Sequence, residues 1–128
     1  MSEAIRKLVA EKIKADNSTF TVHAYPVPAP ENIPRGKVFI NVYRETLTNQ
    51  PQSASLGEDL RILVMTPTKD TEAAENALEN ALDAVLTSIS ALNFIQWSTA
   101  TRATFADTWI GYEIVLRAAT ENPYKPSA

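Results

Sequence analysis

The run TEAAENALENALDAVLTSISAL, Thr71 to Leu92, decides the fold. Its apolar residues fall at Ala74, Ala77, Leu78, Ala81, Leu82, Val85, Leu86, Ile89 and Leu92. Spacings of three and four make them one stripe along about six turns of helix. Asp70 or Thr71 can cap its start, Glu72 and Glu75 stand where the helix dipole favours negative charge, and Asn93 closes it. A stripe of this length needs an apolar surface to lie on.

The flanking segments read as that surface. Lys37 to Glu45 and Asp59 to Thr66 precede the helix; Phe94 to Thr104 and Trp109 to Ala119 follow it. All four are rich in β-branched and aromatic residues, as strands are. Ile95, Trp97 and Thr99 are expected on the inner face of the third. Leu78, Leu82, Val85 and Ile89 are expected to pack on Ile110, Tyr112, Ile114 and Leu116 of the last.

Further out, Thr19 to Tyr25 alternates, with Phe20, Val22 and Ala24 on one face and Thr21 and His23 on the other, a short strand. Pro26, Pro28, Pro30 and Pro34 then make an extended linker, because proline offers no ladder donor. Ser2 to Ala15 places Ile5, Leu8, Val9 and Ile13 on one face of an amphipathic helix that Asp16-Asn17-Ser18 ends. The order is helix, three strands, long helix, two strands. It predicts an α+β fold: a mostly antiparallel sheet of about five strands packed against the long helix, with an N-terminal amphipathic helix. Residues 1–119 are expected to form a single domain and 120–128 a flexible tail.

With 128 residues the chain fits one domain. Its 12 basic and 15 acidic side chains leave a net charge of −3, without the basic footprint of a protein that grips phosphate backbones. Lack of cysteine removes disulfides, thiol catalysis and zinc–thiolate sites together. His23 is the single histidine and reads as a structural one on a polar strand face. No Gly-x-Ser-x-Gly elbow surrounds a serine, and three glycines, Gly36, Gly57 and Gly111, cannot write a phosphate-cradling loop. Gly36 and Gly57 read as turn residues. Gly111 interrupts the last strand and marks a bulge or a close backbone contact. The carboxylates Glu45, Asp59, Asp107 and Glu113 read as ion-pair partners: Glu45 and Asp59 for Arg44 and Arg61, and Glu113 for Arg117. This inventory argues against an enzyme and against any cofactor or metal. No apolar run approaches the length that spans a bilayer, and the expected setting is soluble and cytoplasmic.

The strands carry apolar residues on both faces, where a sheet with one wet face would alternate cleanly. Opposite the core face lie Phe39, Tyr43, Leu63, Met65, Trp109 and Val115, mixed with Arg61, Glu113 and Arg117. Either the N-terminal helix covers this second face, or a neighbouring subunit does. The subunit reading makes Phe39, Tyr43, Arg61, Leu63, Met65, Glu113, Val115 and Arg117 the interface. The segment from Thr46 to Glu58 is longer than a hairpin loop needs. It is either a disordered surface loop or an arm that orders on contact.

The order of these elements resembles a known family. The cues are Val38-Phe39-Ile40-Asn41-Val42, Asp59 to Val64, Ala81 to Leu86, Phe94 to Thr99 and Gly111-Tyr112-Glu113-Ile114. Together they are similar to the tail terminator proteins of long-tailed bacteriophages, and more loosely to other tail-completion and neck proteins. The likeness covers most of the chain and rests on order and texture. It implies a structural virion protein, assembled in the host cytoplasm into a ring, usually a hexamer, on the last ring of the tail tube. Such a ring stops tube polymerisation and offers the surface that joins tail to head. Its implied partners are other copies of the chain, the tail tube protein and the head–tail connector, with DNA only as cargo through the central hole and no membrane. An acidic lumen would repel phosphates, which suits that passage. The resemblance also favours the arm reading of Thr46 to Glu58, with contact to the tail tube or an adjacent subunit through Thr48, Asn49, Gln50, Gln52 and Ser53. A connector or minor tail protein, or a small dimeric α+β domain binding an apolar ligand, are the alternative readings.

Overall fold

A computed structural model describes residues 4–25, 37–49, 55–66, 72–105 and 109–121. The elements run α1 (Ile5–Asp16), β1 (Thr21–His23), β2 (Phe39–Asn49), β3 (Ser55–Thr66), α2 (Glu72–Ser90), β4 (Ile95–Phe105) and β5 (Trp109–Glu121). They form a five-stranded sheet in the order β1-β2-β3-β5-β4. β1 lies parallel to β2, and every other pairing is antiparallel. The fold is therefore the expected α+β arrangement, with α2 at 19 residues.

Period-two alternation sets one face of the sheet. Ile40 and Val42 stand opposite Val64 and Ile62, and Leu60, Ile62 and Val64 stand opposite Leu116, Ile114 and Tyr112. The aliphatic side chains of this row are almost all fully buried and join Val9, Ala10 and Ile13 of α1 and Ala81, Val85 and Ile89 of α2 in one core. Leu78 is fully buried, whereas Leu82 and Leu86 are half-buried at the margin of that core. Both helices thus lie on the same side. The expectation that α1 covers the second face is overturned, because its apolar stripe is spent on the same core as that of α2.

Polar bonds hold the two helices in register. Asn17 ends α1, its backbone N–H and its Nδ2 both donating to the Ile13 carbonyl, at 3.0 and 3.1 Å. Ser88 of α2 donates its hydroxyl to Asp16 at 2.8 Å. Lys14 donates to the carbonyls of Ser18 and Phe20, at 2.8 and 2.6 Å, and Arg6 donates to the carbonyl of Ala24. These bonds steer the chain from α1 into β1 at the edge of the sheet.

Three boundaries differ from the sequence reading. β2 and β3 continue through most of the expected loop, pairing Thr46 with Asp59, Leu47 with Glu58, Thr48 with Gly57 and Asn49 with Leu56. β5 reaches Glu121, pairing Thr120 with Leu56 and Glu121 with Ser55, so the sheet includes the first two residues assigned to the tail. The arm is three-stranded at this end. Its ladder is satisfied by backbone from both sides of β3, so it forms without a hydrophobic period to announce it.

The third difference is a bulge in β4. Register shifts between Trp97 and Thr99, with Ser98 the extra residue, its hydroxyl donating to the Val115 carbonyl at 3.2 Å. An inserted residue reverses the alternation, so Thr99 joins the opposite face and Ala100 takes the inner position beside Ile114. β2 has a similar shift at Glu45, which turns Thr46 to the side of Asp59. The proline linker, Gly36, the Asp70 and Thr71 caps, the Asp107-Thr108 turn, Gln50, Gln52, Ser53, the rest of the tail and the side chain of Trp109 lie outside the described residues.

Candidate assembly surface

The second face of the sheet is built from registered rows. Phe39, Met65, Gly111 and Ala103 form the first, and Asn41, Leu63, Glu113 and Thr101 the second. Tyr43, Arg61, Val115 and Thr99 form the third; Thr46, Asp59, Arg117 and Gln96 the fourth. The eight residues singled out from the alternation, Phe39, Tyr43, Arg61, Leu63, Met65, Glu113, Val115 and Arg117, all lie within these rows. Among the described residues no helix lies over them.

The face grades from apolar to charged. Phe39, Leu63 and Phe105 pack around Met65, which keeps 1% of its surface exposed. Met65 is therefore roofed within its own chain and supports the face from beneath, contrary to its expected role as a contact residue. The His23 ring tilts against Phe39 at 5.2 Å between centroids, and Tyr25 meets His23 edge-on at 5.6 Å. This aromatic line carries the apolar end of the face out to β1.

At the other end two ion pairs cross between strands. Arg117 Nε donates to Asp59 Oδ1 at 2.9 Å, directly across the β3–β5 pairing. Arg61 Nε lies 3.4 Å from Glu113 Oε1 on a diagonal. Each of these two cations is thus matched by an anion within the face. Burial, then the negative charges of Glu45 and Glu113, push the Tyr43 phenol up, with Arg61 opposing.

The expected ion pairs are partly redrawn. Arg44 faces Glu58 at 3.8 Å, and Glu113 pairs with Arg61 where Arg117 was expected. Asp59 takes Arg117, and Asp107 lies outside the described residues. Glu58 is the residue the sequence reading missed: 7% exposed, on the helix side of β3, with its carboxyl pushed up by burial and only partly drawn back by Arg44. Its signal was obscured because a loop was expected there. Of the arm residues, Thr48 and Asn49 belong to β2 and not to a loop.

Fold and surface together define a two-layer α+β domain in which a mixed apolar and charged sheet face has no covering layer among the described residues. No family model and no curated protein matches the chain.

Proposed function

We propose that this chain is a structural subunit of a bacteriophage tail, a terminator that assembles into a ring on the end of the tail tube, stops its polymerisation and presents the surface that joins the head. The observation that carries the reading is the helix-free face. Phe39, Tyr43, Leu63 and Val115 are half-buried there beside neutralised ion pairs, the mixture that subunit interfaces bury. The family resemblance supplies the identity of the assembly, with the ring most often of six copies. The tail tube protein and the head–tail connector are the other neighbours, and DNA passes through the hole as cargo.

Burying the face of each copy against the next contributes about 25 cal/mol for every Å² of apolar surface, before the cost of association. The three-stranded arm at the far end of β2 and β3 is the part of the subunit that reaches the tube. Light scattering and negative-stain microscopy of the purified chain, alone and with the tail tube protein, test the reading. A ring that caps tubes of uniform length supports it; a chain that stays monomeric and leaves tube length unchanged overturns it.

A further inference from the structure

We propose that adjacent copies are joined strand to strand, the outer edge of β4 pairing antiparallel with the outer edge of β2 in the next copy. This inference rests on the ring reading for the identity of the neighbour and adds the seam by which neighbours meet. Three observations carry it.

The first is the distribution of open edges. β4 ends the sheet, and among the described residues no strand pairs along its outer side from Ile95 to Phe105. At the other end β1 covers only Phe39, Ile40 and Asn41, which leaves the outer side of β2 from Val42 to Asn49 without a strand partner among the described residues. Rows of backbone donors and acceptors of this length are templates for another strand; natural edges are blunted by lysine, proline, brevity or a bulge, and of these the two edges carry the bulge alone. β4 has no lysine and no proline, and its one arginine, Arg102, turns to the helix side and pairs with Glu75 of α2. Past the bulge it runs Thr-Ala-Thr-Arg-Ala-Thr-Phe, with high strand propensity.

The second is where apolar surface is exposed. Among the described residues, the large hydrophobic side chains that stand open are Trp97 of β4 at 39% and Tyr25, just past β1, at 54%. They mark opposite edges of one sheet, the two edges that a head-to-tail seam would cover. Joining unlike edges is a heterologous contact, which makes a ring where the rotation closes and a filament where it does not, whereas joining like edges stops at a two-fold dimer.

The third is direction. The antiparallel pairings from β2 through β3 and β5 make β4 run opposite to β2. Copies related by rotation about an axis along the strands therefore set β4 antiparallel to the next β2, which needs no crossover. Both strands at the seam carry a bulge, at Glu45 and at Ser98. Bulged strands bend and form the corners of packed sheets. A seam bent at these positions lets each copy turn relative to the last, as closure around a ring requires.

The lack of natural cysteine makes a direct test clean. Thr46 of β2 and Gln96, Thr99 and Thr101 of β4 are exposed and stand on the helix-free side, with Gln96 level with Thr46 and Thr99 one row further along. Thr46→Cys is combined in turn with Gln96→Cys and Thr99→Cys, and Thr101→Cys is made alone, with circular dichroism to verify folding, and the proteins are oxidised mildly at assembly concentrations. The seam predicts a covalent ladder up to a closed ring for at least one double variant, and no cross-link for the single variants. Dimers from Thr101→Cys alone would mean that β4 pairs with itself, and would overturn the seam. Rings by light scattering that no combination cross-links would overturn the seam and leave the ring reading standing. A monomer without cross-links overturns both.

Discussion

The ring of Phe105 lies across Gly111, on the neighbouring strand, in the space that a Cβ would need. A Cβ built on Gly111 would meet the Phe105 ring at 2.7 Å and the Val64 carbonyl oxygen at 1.9 Å. The ring can rotate, but the carbonyl is backbone within the sheet. Gly111→Ala should therefore cost about 3 kcal/mol, the upper part of the range for overpacking. Urea denaturation of the variant checks this; an unchanged midpoint would show that the strands can separate without penalty.

The same ring roofs Met65, which separates the residues that hold the face from those that meet a neighbour. Met65→Ala should destabilise the fold by about 2–5 kcal/mol, since it empties a closed site. Tyr43→Lys places a charge on a half-buried position of the helix-free face, beside the carboxylates of Glu45 and Glu113, and should abolish assembly while leaving thermal unfolding of the isolated chain nearly unchanged. Light scattering and a melting curve on both variants test the split. If Tyr43→Lys stays folded and still assembles, the face is not the contact.

Glu58 and Asp16 should give opposite pH signatures. Burial raises the folded pKa of Glu58 above its ordinary 4.5, so the native state holds that proton more tightly than the unfolded chain. Stability from this group is present below pH 4.5 and declines as pH rises through the raised value. Lys12 and Ser88 hold Asp16 below its ordinary 3.8, so its contribution is present above 3.8 and lost as pH falls through the depressed value. Glu58→Gln should be neutral or stabilising at pH 7 and remove the decline above pH 4.5, while Ser88→Ala should soften the acid limb. Urea midpoints measured from pH 2 to 8 distinguish them, and a Glu58→Gln profile identical to the parent would contradict the burial argument.

Legibility in the sequence followed the hydrophobic period. The stripe from Ala74 to Ile89 and the alternation of β3 and β5 gave the helix, the strands and the eight-residue face, because each side chain there is assigned by spacing alone. Where period is silent or interrupted, the reading failed. Thr46 to Asn49 pair through backbone on a polar arm, where Leu47 alone is apolar and makes no period that marks a strand. The insertion of Ser98 moved Thr99 across the sheet, which no composition reveals. The side taken by α1 depends on a tertiary core shared with α2, and the burial of Met65 depends on Phe105 arriving from a strand two positions away in the sheet. Neither is local.

The arm gives the test closest to function. Thr48 stands opposite Gly57, so replacing the eight residues from Asn49 to Leu56 by Asn-Gly leaves a closing pair in register with a two-residue turn. Asn-Gly suits such a turn because both central residues take positive φ. The excision removes the last pairings of β3 with β5, those of Ser55 and Leu56, and leaves in place every core residue among those described. Stability should fall by no more than about 1 kcal/mol, the scale of changes away from cores and caps. If the arm is what engages the tube, the shortened chain should still form rings yet fail to cap, giving tails of irregular length and loss of infectivity. Normal tails from this variant would assign the arm to spacing alone and shift the tube contact to the helix-free face.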